Sequence, residues 1–429
     1  MPESPSGEFV NWSGSLRFTP GEFLHPADEE EVVERVRLAA ERGETVRPVG
    51  SGHSSTPLSA TDEVLMSLDR MSGLVAYDRE ALRGTLLPGT GLAEAGRLLA
   101  MADMGMENLG DVDYQAIAGA IATGTHGTGT TLPNLGANLV GGRLVTGTGA
   151  VVPFGEDAGP DHDPDLLRAA RVSLGALGVM TSLTLRLLPD HDLHRVNWCT
   201  HIDWALEHFH RLAAAHRHFD LYWYPRSDLA QVRTLNMPGD EPDDPALIPP
   251  GRHLRRDETD SNHEIIPNSR ELKFDEMEYM LPLEAGLECF RVIRERIRER
   301  HRRTVAWRVL LRTIAPDDGL ISTCEGRPTM TIALLQNNTL PHDEYFGDLE
   351  PILRDFGGRP HWGKKHSLRA ADLRPLYPGW DTFNEVRRRL DPEGVFLNDH
   401  LRDLLIEEGS EEWHRVGETR KRRREEARA

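Results

Sequence analysis

At 429 residues, with 38% hydrophobic and 28% charged side chains, the chain has the composition of a globular protein and the length for two hydrophobic cores. A formal charge of −19 argues against a nucleic-acid partner, because phosphate binding calls for clustered basic residues. No apolar run reaches the ~18 residues of a membrane span, and "MPESPSGEFVNWSG" has neither the basic nor the apolar region of a secretory signal, so a cytoplasmic protein without a transmembrane segment is expected.

From Glu29 to Arg42, "EEEVVERVRLAAER" carries apolar residues at helical spacing after an acidic first turn, and "GETVRPVG" follows as a short strand. "EVLMSLDRM" and "GLVAYDREALRGTLLPGTGL" are strand-like pieces split by turn residues, and "AEAGRLLAMADMG" is helical. After a Gly/Ala/Thr-rich stretch, "YQAIAGAIATGTHGTGTTLPNLG", the strand-like "GGRLVTGTGAVV" and "GVMTSLTLRLLP" close this half near Pro189. The second half opens with the aromatic-rich "FDLYWYPRSDL". Residues 237 to 271 hold proline and charge without apolar periodicity and read as a long surface excursion. Next come the strand "LKFDEMEYML", the helix "EAGLECFRVIRERIRERH", strands at "AWRVLLRTIA" and "PTMTIALLQ", and a helix near "YFGDLEPILRDFG". The pattern predicts an α+β protein: residues 1–188 in one unit, 189–429 in a second built on an antiparallel sheet with helices on one face. The basic "RKRRREEARA" reads as a frayed, solvated helix end. Cys199, Cys289 and Cys324 lie far apart without CxxC or histidine pairing, which suits small apolar residues in a reducing compartment better than metal ligands or disulfides; no metal is expected.

Two glycine-rich loops are the strongest local signal. Neither is a P-loop nor a G-x-G-x-x-G that opens a helix. Gly50, Gly52, Gly119, Gly124, Gly127 and Gly129 let the backbone turn sharply and expose successive N–H groups able to hold a pyrophosphate, with Ser51, Ser54, Ser55, Thr123, Thr125 and Thr128 as neutral donors. A third such loop, "SLGALGV", ends the same half. His53 sits among neighbours too small to bury it, so its imidazole would face whatever the loop cradles, and neutral imidazole is a nucleophile.

"VGSGHSST", "IAGAIATGTHGTG", "SLGALGV", "EMEY", "GRPHWGKKH" and "DPEGVFLNDHLRDLL", in this order, resemble the sugar-lactone and alditol oxidases of the vanillyl-alcohol-oxidase flavoprotein superfamily. The resemblance runs from about Asn11 to Leu405. It implies an N-terminal FAD-binding domain, a cap domain carrying substrate groups, and a segment around 385–410 returning to the flavin. His53 matches the histidine that bonds the 8α-methyl carbon of FAD in the family, and no cysteine near Gly110 to Gly119 offers a second bond. Gly50, Ser51, Gly52, Ser54, Gly119, Ala122, Thr123, Gly124, His126, Gly127, Gly178 and Val179 match FAD-binding positions. "ENLGDVDYQ", with Gly110, Asp111 and Gln115, matches the segment passing the flavin ring. A glycine at 110, where lactone dehydrogenases carry alanine, favours oxygen as acceptor and hydrogen peroxide as product; a protein or quinone acceptor is the alternative.

Lys364 matches the active-site lysine of the family, and Arg312 an arginine that binds substrate oxygen. Alternation along an extended "RPHWGKKH" would put Trp362, Lys364 and His366 on one face. The chain departs from its relatives at Leu310, where a Glu-x-Arg pattern has its glutamate, and at Ala333 to Leu335, where a histidine is missing. Either Glu276 or Glu278 substitutes for them, or the substrate is less polar or differently oriented than a polyol. The implied reaction passes hydride from a carbinol of a sugar lactone, alditol or related polyol to FAD, with Lys364 and Arg312 orienting the oxygen and Glu276, Asp111 or water taking the proton. A flavin-binding protein without catalysis is the remaining reading.

Overall fold

The computed structural model describes residues 7–155, 158–159, 163–268 and 272–418; the basic C-terminal stretch and its expected helix end lie outside them. After a short antiparallel pair, Phe9–Val10 with Arg17–Phe18, come strand β1 (Glu22–Leu24), helix α1 (Glu29–Arg42), β2 (Val46–Val49) and β3 (Val64–Ser67), with three parallel strands in the order β1-β3-β2. Helix α1 forms where the spacing predicts it. Asp28 caps it by accepting the Glu31 N–H, three glutamates occupy the first turn against the positive end of the helix dipole, and Gly43 ends it at φ 68°. Its buried stripe, Val32, Val36 and Ala39, packs with Val46, Val64 and Met66.

The next strands, β4 (Leu74–Asp78) and β5 (Arg83–Leu86), are followed by helices α2 (Leu92–Ala100) and α3 (Ile117–Ala122) and strands β6 (Leu139–Val145), β7 (Val151–Gly155) and β8 (Val179–Arg186). Their strands make an antiparallel sheet in the order β7-β6-β8-β5-β4. The second glycine-rich stretch therefore opens as the short α3 and becomes a loop only after it.

From Asp192 the chain builds an eight-stranded antiparallel sheet. Its elements are β9 (Asp192–His201), β10 (His218–Tyr224), β11 (Leu229–Asn236), β12 (His253–Ser261), β13 (Phe274–Pro282), α4 (Leu283–Arg296), β14 (Val309–Ile314), β15 (Thr329–Asn337), α5 (Asp343–Asp355) and β16 (Arg359–Pro360). The order is β12-β9-β11-β10-β14-β15-β13-β16. Alternation sorts the residues of the central strands between its faces. Met277, Tyr279, Leu311, Ile332 and Leu334 join Phe290 and Ile293 of α4 and Leu349 and Leu353 of α5 in the main core. Glu276, Glu278, Leu310, Arg312 and Ala333 occupy the opposite face.

One element departs from the sequence reading. The unpatterned excursion over 237–271 contains β12, an edge strand paired with β9. Nearly all of its residues are exposed. With water on both sides it needs no apolar alternation, and its charges guard an open edge.

Helices α6 (Trp380–Leu390) and α7 (Asp399–Leu405) bracket a segment that returns to the first strands. Val395 and Phe396 pack with Val32 and Val36, and the Val395 carbonyl accepts the Val46 N–H at 2.9 Å.

Candidate active site

A cleft is lined by the loop after β2, by α3 and its C-terminal turn, and by the Ser173–Gly175 loop. Gly52 takes φ 67°, and its Cβ would stand 2.9 Å from the Phe9 ring, so this bend excludes other side chains. Among the described residues, the N–H groups of Ser51 to Ser54 meet no protein acceptor. A run of free N–H groups without lysine suits a pyrophosphate. Beneath them lies Arg47, fully buried, donating to the carbonyls of Leu58, Leu174, Gly175 and Phe396. Burial lowers its pKa to about 9. An arginine inside a strand carries no sequence signal for this clamp, and sequence reasoning missed it, as it missed Pro88 and Gly89 in the wall.

Gly50, Ser51, Gly52, His53, Ser54, Gln115, Gly119, Ala122, Thr123 and Gly178 all line this cleft. Gly124, Gly127 and Val179 line neither it nor the inner chamber described next. Gly124 turns the chain at φ 71°. A Cβ on Gly127 would lie 2.1 Å from Asn108 Oδ1, which makes it a close-packing glycine, and Val179 is buried against α1.

His53 is less open than its small neighbours suggested. Trp12 and Tyr114, distant in sequence, pack edge-on against the ring at centroid separations of 4.9 and 5.3 Å. Burial, aided by the charge of Lys364, pushes its pKa down to about 3, so the ring is neutral; among the described residues its buried Nδ1 has no hydrogen-bond partner. A neutral imidazole with a buried nitrogen left without a partner, at the edge of this cleft, fits a flavin.

His53, Ser54, Gln115 and Thr123 also line an adjoining chamber of about 80 Å³, together with Gly110, Asp111, His126, Glu276, Glu278, Arg312 and Lys364. Strand register explains how a carboxylate reaches Arg312 although residue 310 is leucine. Leu310, Ala333 and Glu278 stand in one row across β14, β15 and β13. The small Ala333 lets Glu278 cross the middle strand to Arg312 Nη2 at 2.8 Å. Glu278 also faces His126 Nε2 at 3.4 Å and Lys364 Nζ at 3.3 Å, and Lys364 contacts Glu276. Burial opposes the charge of Glu278, but Arg312 and Lys364 outweigh it and hold the carboxyl well below its ordinary range. For Glu276, burial and the charge of Glu278 outweigh Lys364, and its pKa rises.

The "RPHWGKKH" segment does not stay extended. His361 and Lys365 donate their N–H groups to the carbonyls of Glu278 and Glu276, while Trp362 to Lys364 loop out in a turn closed by the Lys364 N–H on the His361 carbonyl. Trp362 therefore leaves the face that alternation assigned it: it stacks on Tyr377 and donates Nε1–H to the Ile321 carbonyl. His366 does not line the chamber; His361 and Lys364 do. His361 Nδ1 accepts the Gly363 N–H, and the Nδ1–H of His126 donates to the Gly127 carbonyl. Burial first, then Lys364 for His361 and Arg312 for His126, keeps both rings neutral. Ligand atoms of His126, Glu278 and His361 lie within 4.8 Å of one another, but Arg312 and Lys364 already bring to Glu278 the positive charge a metal would supply.

Asp111 lines the chamber while accepting from Asn268 Nδ2 at 2.6 Å and facing Arg233 at 3.7 Å. Arg308, stacked over Tyr222, and Tyr222 itself are chamber residues that sequence reasoning passed over.

A cleft of this kind beside a chamber of paired charges defines a two-domain flavoprotein oxidoreductase. Residues 20–155 match the FAD-binding domain family and residues 248–404 the D-arabinono-1,4-lactone oxidase family. The chain is 36% identical to an L-gulono-1,4-lactone dehydrogenase of Mycobacterium tuberculosis, over 92% of this chain and 98% of the relative. It is 30% identical to an alditol oxidase of Streptomyces, over 92% and 98%. A cholesterol oxidase structure from Brevibacterium sterolicum superposes with a TM-score of 0.80 at 16% identity, covering 94% of this chain and 99% of the other. The chain belongs to the FAD-dependent sugar-lactone and alditol oxidoreductases, enzymes acting on CH–OH groups.

Proposed function

We propose that the chain oxidises one carbinol of a sugar lactone, alditol or related small polyol in the Glu276–Glu278–Lys364–Arg312 chamber, with FAD attached through His53. The observation that carries this is the shared wall: the residues that join cleft to chamber include His53, so the charged groups open directly onto the position expected for the flavin ring. Bound FAD supplies the hydride acceptor. Arg312 and Lys364 hold the carbinol oxygen and offset negative charge. The two glutamates divide the work by environment, as paired carboxylates with opposed pKa shifts do. Glu278 stays ionised and fixes both cations, while Glu276, with its raised proton affinity, takes the hydroxyl proton. Asp111, held by Asn268 and Arg233, positions the chamber wall. The turn of Gly363 and Lys364 docks on the His53 loop, where the Ser55 N–H donates to the Gly363 carbonyl at 2.8 Å, and so holds the base and the tether in one register.

Oxygen is the proposed acceptor. A Cβ on Gly110 would stand 3.0 Å from the Thr125 methyl, and glycine keeps that space open. The dehydrogenase name of the mycobacterial relative supports a second reading, with a protein or quinone acceptor. The cysteines, none in a disulfide, agree with a cytoplasmic setting.

Anaerobic mixing of the holoprotein with L-gulono-1,4-lactone, D-arabinono-1,4-lactone and xylitol tests the function. Bleaching of the flavin band by at least one is expected, and a spectrum unchanged by the whole panel contradicts it. Peroxide release under air against reduction of an added dye then separates the acceptors.

A further inference from the structure

Charge accounting in and behind the chamber leaves one cation over. Glu276 and Glu278 face Lys364 and Arg312. Asp111 and Asp220 face Arg233, and Arg195 reaches Asp111 through Asn268. Arg308 lines the chamber, yet among the described residues it donates no hydrogen bond and has no carboxylate within 4.0 Å. Its guanidinium carbon lies 4.5 Å from the centroid of the Tyr222 ring, a face that holds the cation in place without neutralising it. Arg308, Leu310 and Arg312 share one side of the chain by alternation. The residue between the two arginines is thus leucine, and it brings no charge to either.

From this we infer that the substrate carries a carboxylate, as an aldonate or other sugar acid does, and that Arg308 binds it while Lys364 and Arg312 hold the carbinol. The inference rests on the chamber being the site of carbinol oxidation. A planar guanidinium with its full fork free matches a carboxylate in geometry and charge. A phosphate dianion would need further donors and would meet Glu276 and Glu278. A 1,4-lactone opened by water is an acid of the required kind, so neutral and anionic forms of one carbon skeleton can be compared directly.

The test uses flavin-loaded protein, L-gulonate against freshly dissolved L-gulono-1,4-lactone as substrates, and glutarate, which has no carbinol to oxidise, as a binding probe followed by calorimetry and by competition. The wild-type protein is expected to bind glutarate competitively with the lactone and to show a lower KM for gulonate than for lactone. Arg308→Gln is expected to weaken glutarate and to raise the KM of gulonate by about tenfold or more, as loss of a charge-assisted pair does, and far more than it changes the KM of the lactone. Arg308→Lys, which keeps the charge but not the fork, falls between. Failure of glutarate to bind, preference for inorganic phosphate over glutarate in the same competition, or an equal effect of Arg308→Gln on gulonate and lactone overturns the proposal. If no carbinol compound reduces the flavin, the oxidation reading falls on its own, and the glutarate titrations still decide whether Arg308 binds a carboxylate.

Discussion

Replacing Glu278 by glutamine keeps the shape of the chamber and removes one buried charge. Two residues apart on a strand, Glu276 and Glu278 both reach Lys364 Nζ, which brings their carboxylates to about 5.5 Å from each other. At an effective dielectric of about 20 their repulsion is about 3 kcal/mol, or about 2 pH units on Glu276. As the proposed base, Glu276 would work only when ionised, so activity is expected to fall as pH falls through its folded-state pKa, which burial and Glu278 hold above the ordinary value. Removing the Glu278 charge lowers that pKa, and Arg312, released from its pair, lowers it further. The acid limb of kcat/KM should therefore move down by about 1 to 2 pH units in Glu278→Gln. Stranding the buried Arg312 costs about 3–5 kcal/mol, so rates are referred to flavin content and the fold is checked by circular dichroism. Glu276→Gln is the control: it should abolish the limb and cut kcat by about 10²–10⁴-fold. An acid limb that stays in place or moves up in Glu278→Gln refutes the division of roles between the two glutamates.

Gly110→Ala puts a methyl 3.0 Å from the Thr125 methyl; oxygen-dependent turnover should fall about tenfold, near 1.4 kcal/mol in barrier, and dye-coupled turnover far less, as oxygen electrodes and dye assays can show. An equal loss in both assays sinks the proposal of an open oxygen path. Arg47→Met takes a donor from four carbonyls, of which Leu58 keeps Asn398; at about 1 kcal/mol or more each for the other three, the thermal midpoint and the flavin content of the purified protein should both drop, and an unchanged midpoint counts against the clamp.

The parts of the fold legible in the sequence are those where one side faces the core. Helix α1 declares itself through Val32, Val36 and Ala39 and its acidic first turn, and β13 to β15 through apolar runs on their core faces. Strand β12 was not legible, because an exposed edge strand carries no alternation. That the glycine loops and His53 line one cleft was legible because backbone bends and a lone ring among small residues are local features. The packing of Trp12 and Tyr114 on His53, and the passage of Glu278 over Ala333 to Arg312, depend on strand order and long-range contacts that spacing does not encode. Alternation misplaced Trp362 because backbone bonds from His361 and Lys365 to β13 force the residues between them into a turn. Arg308 drew no attention in "AWRV" because an unpaired cation is recognised only once its neighbours have found their partners.

The most direct test of the account is the colour of the protein after acid precipitation, read with a fluorescence scan of a denaturing gel. Flavin retained in the wild-type pellet and fluorescence at the band of the full chain, both lost in His53→Ala, are expected. A colourless wild-type pellet with free FAD in the supernatant, or flavin retained in His53→Ala, contradicts it.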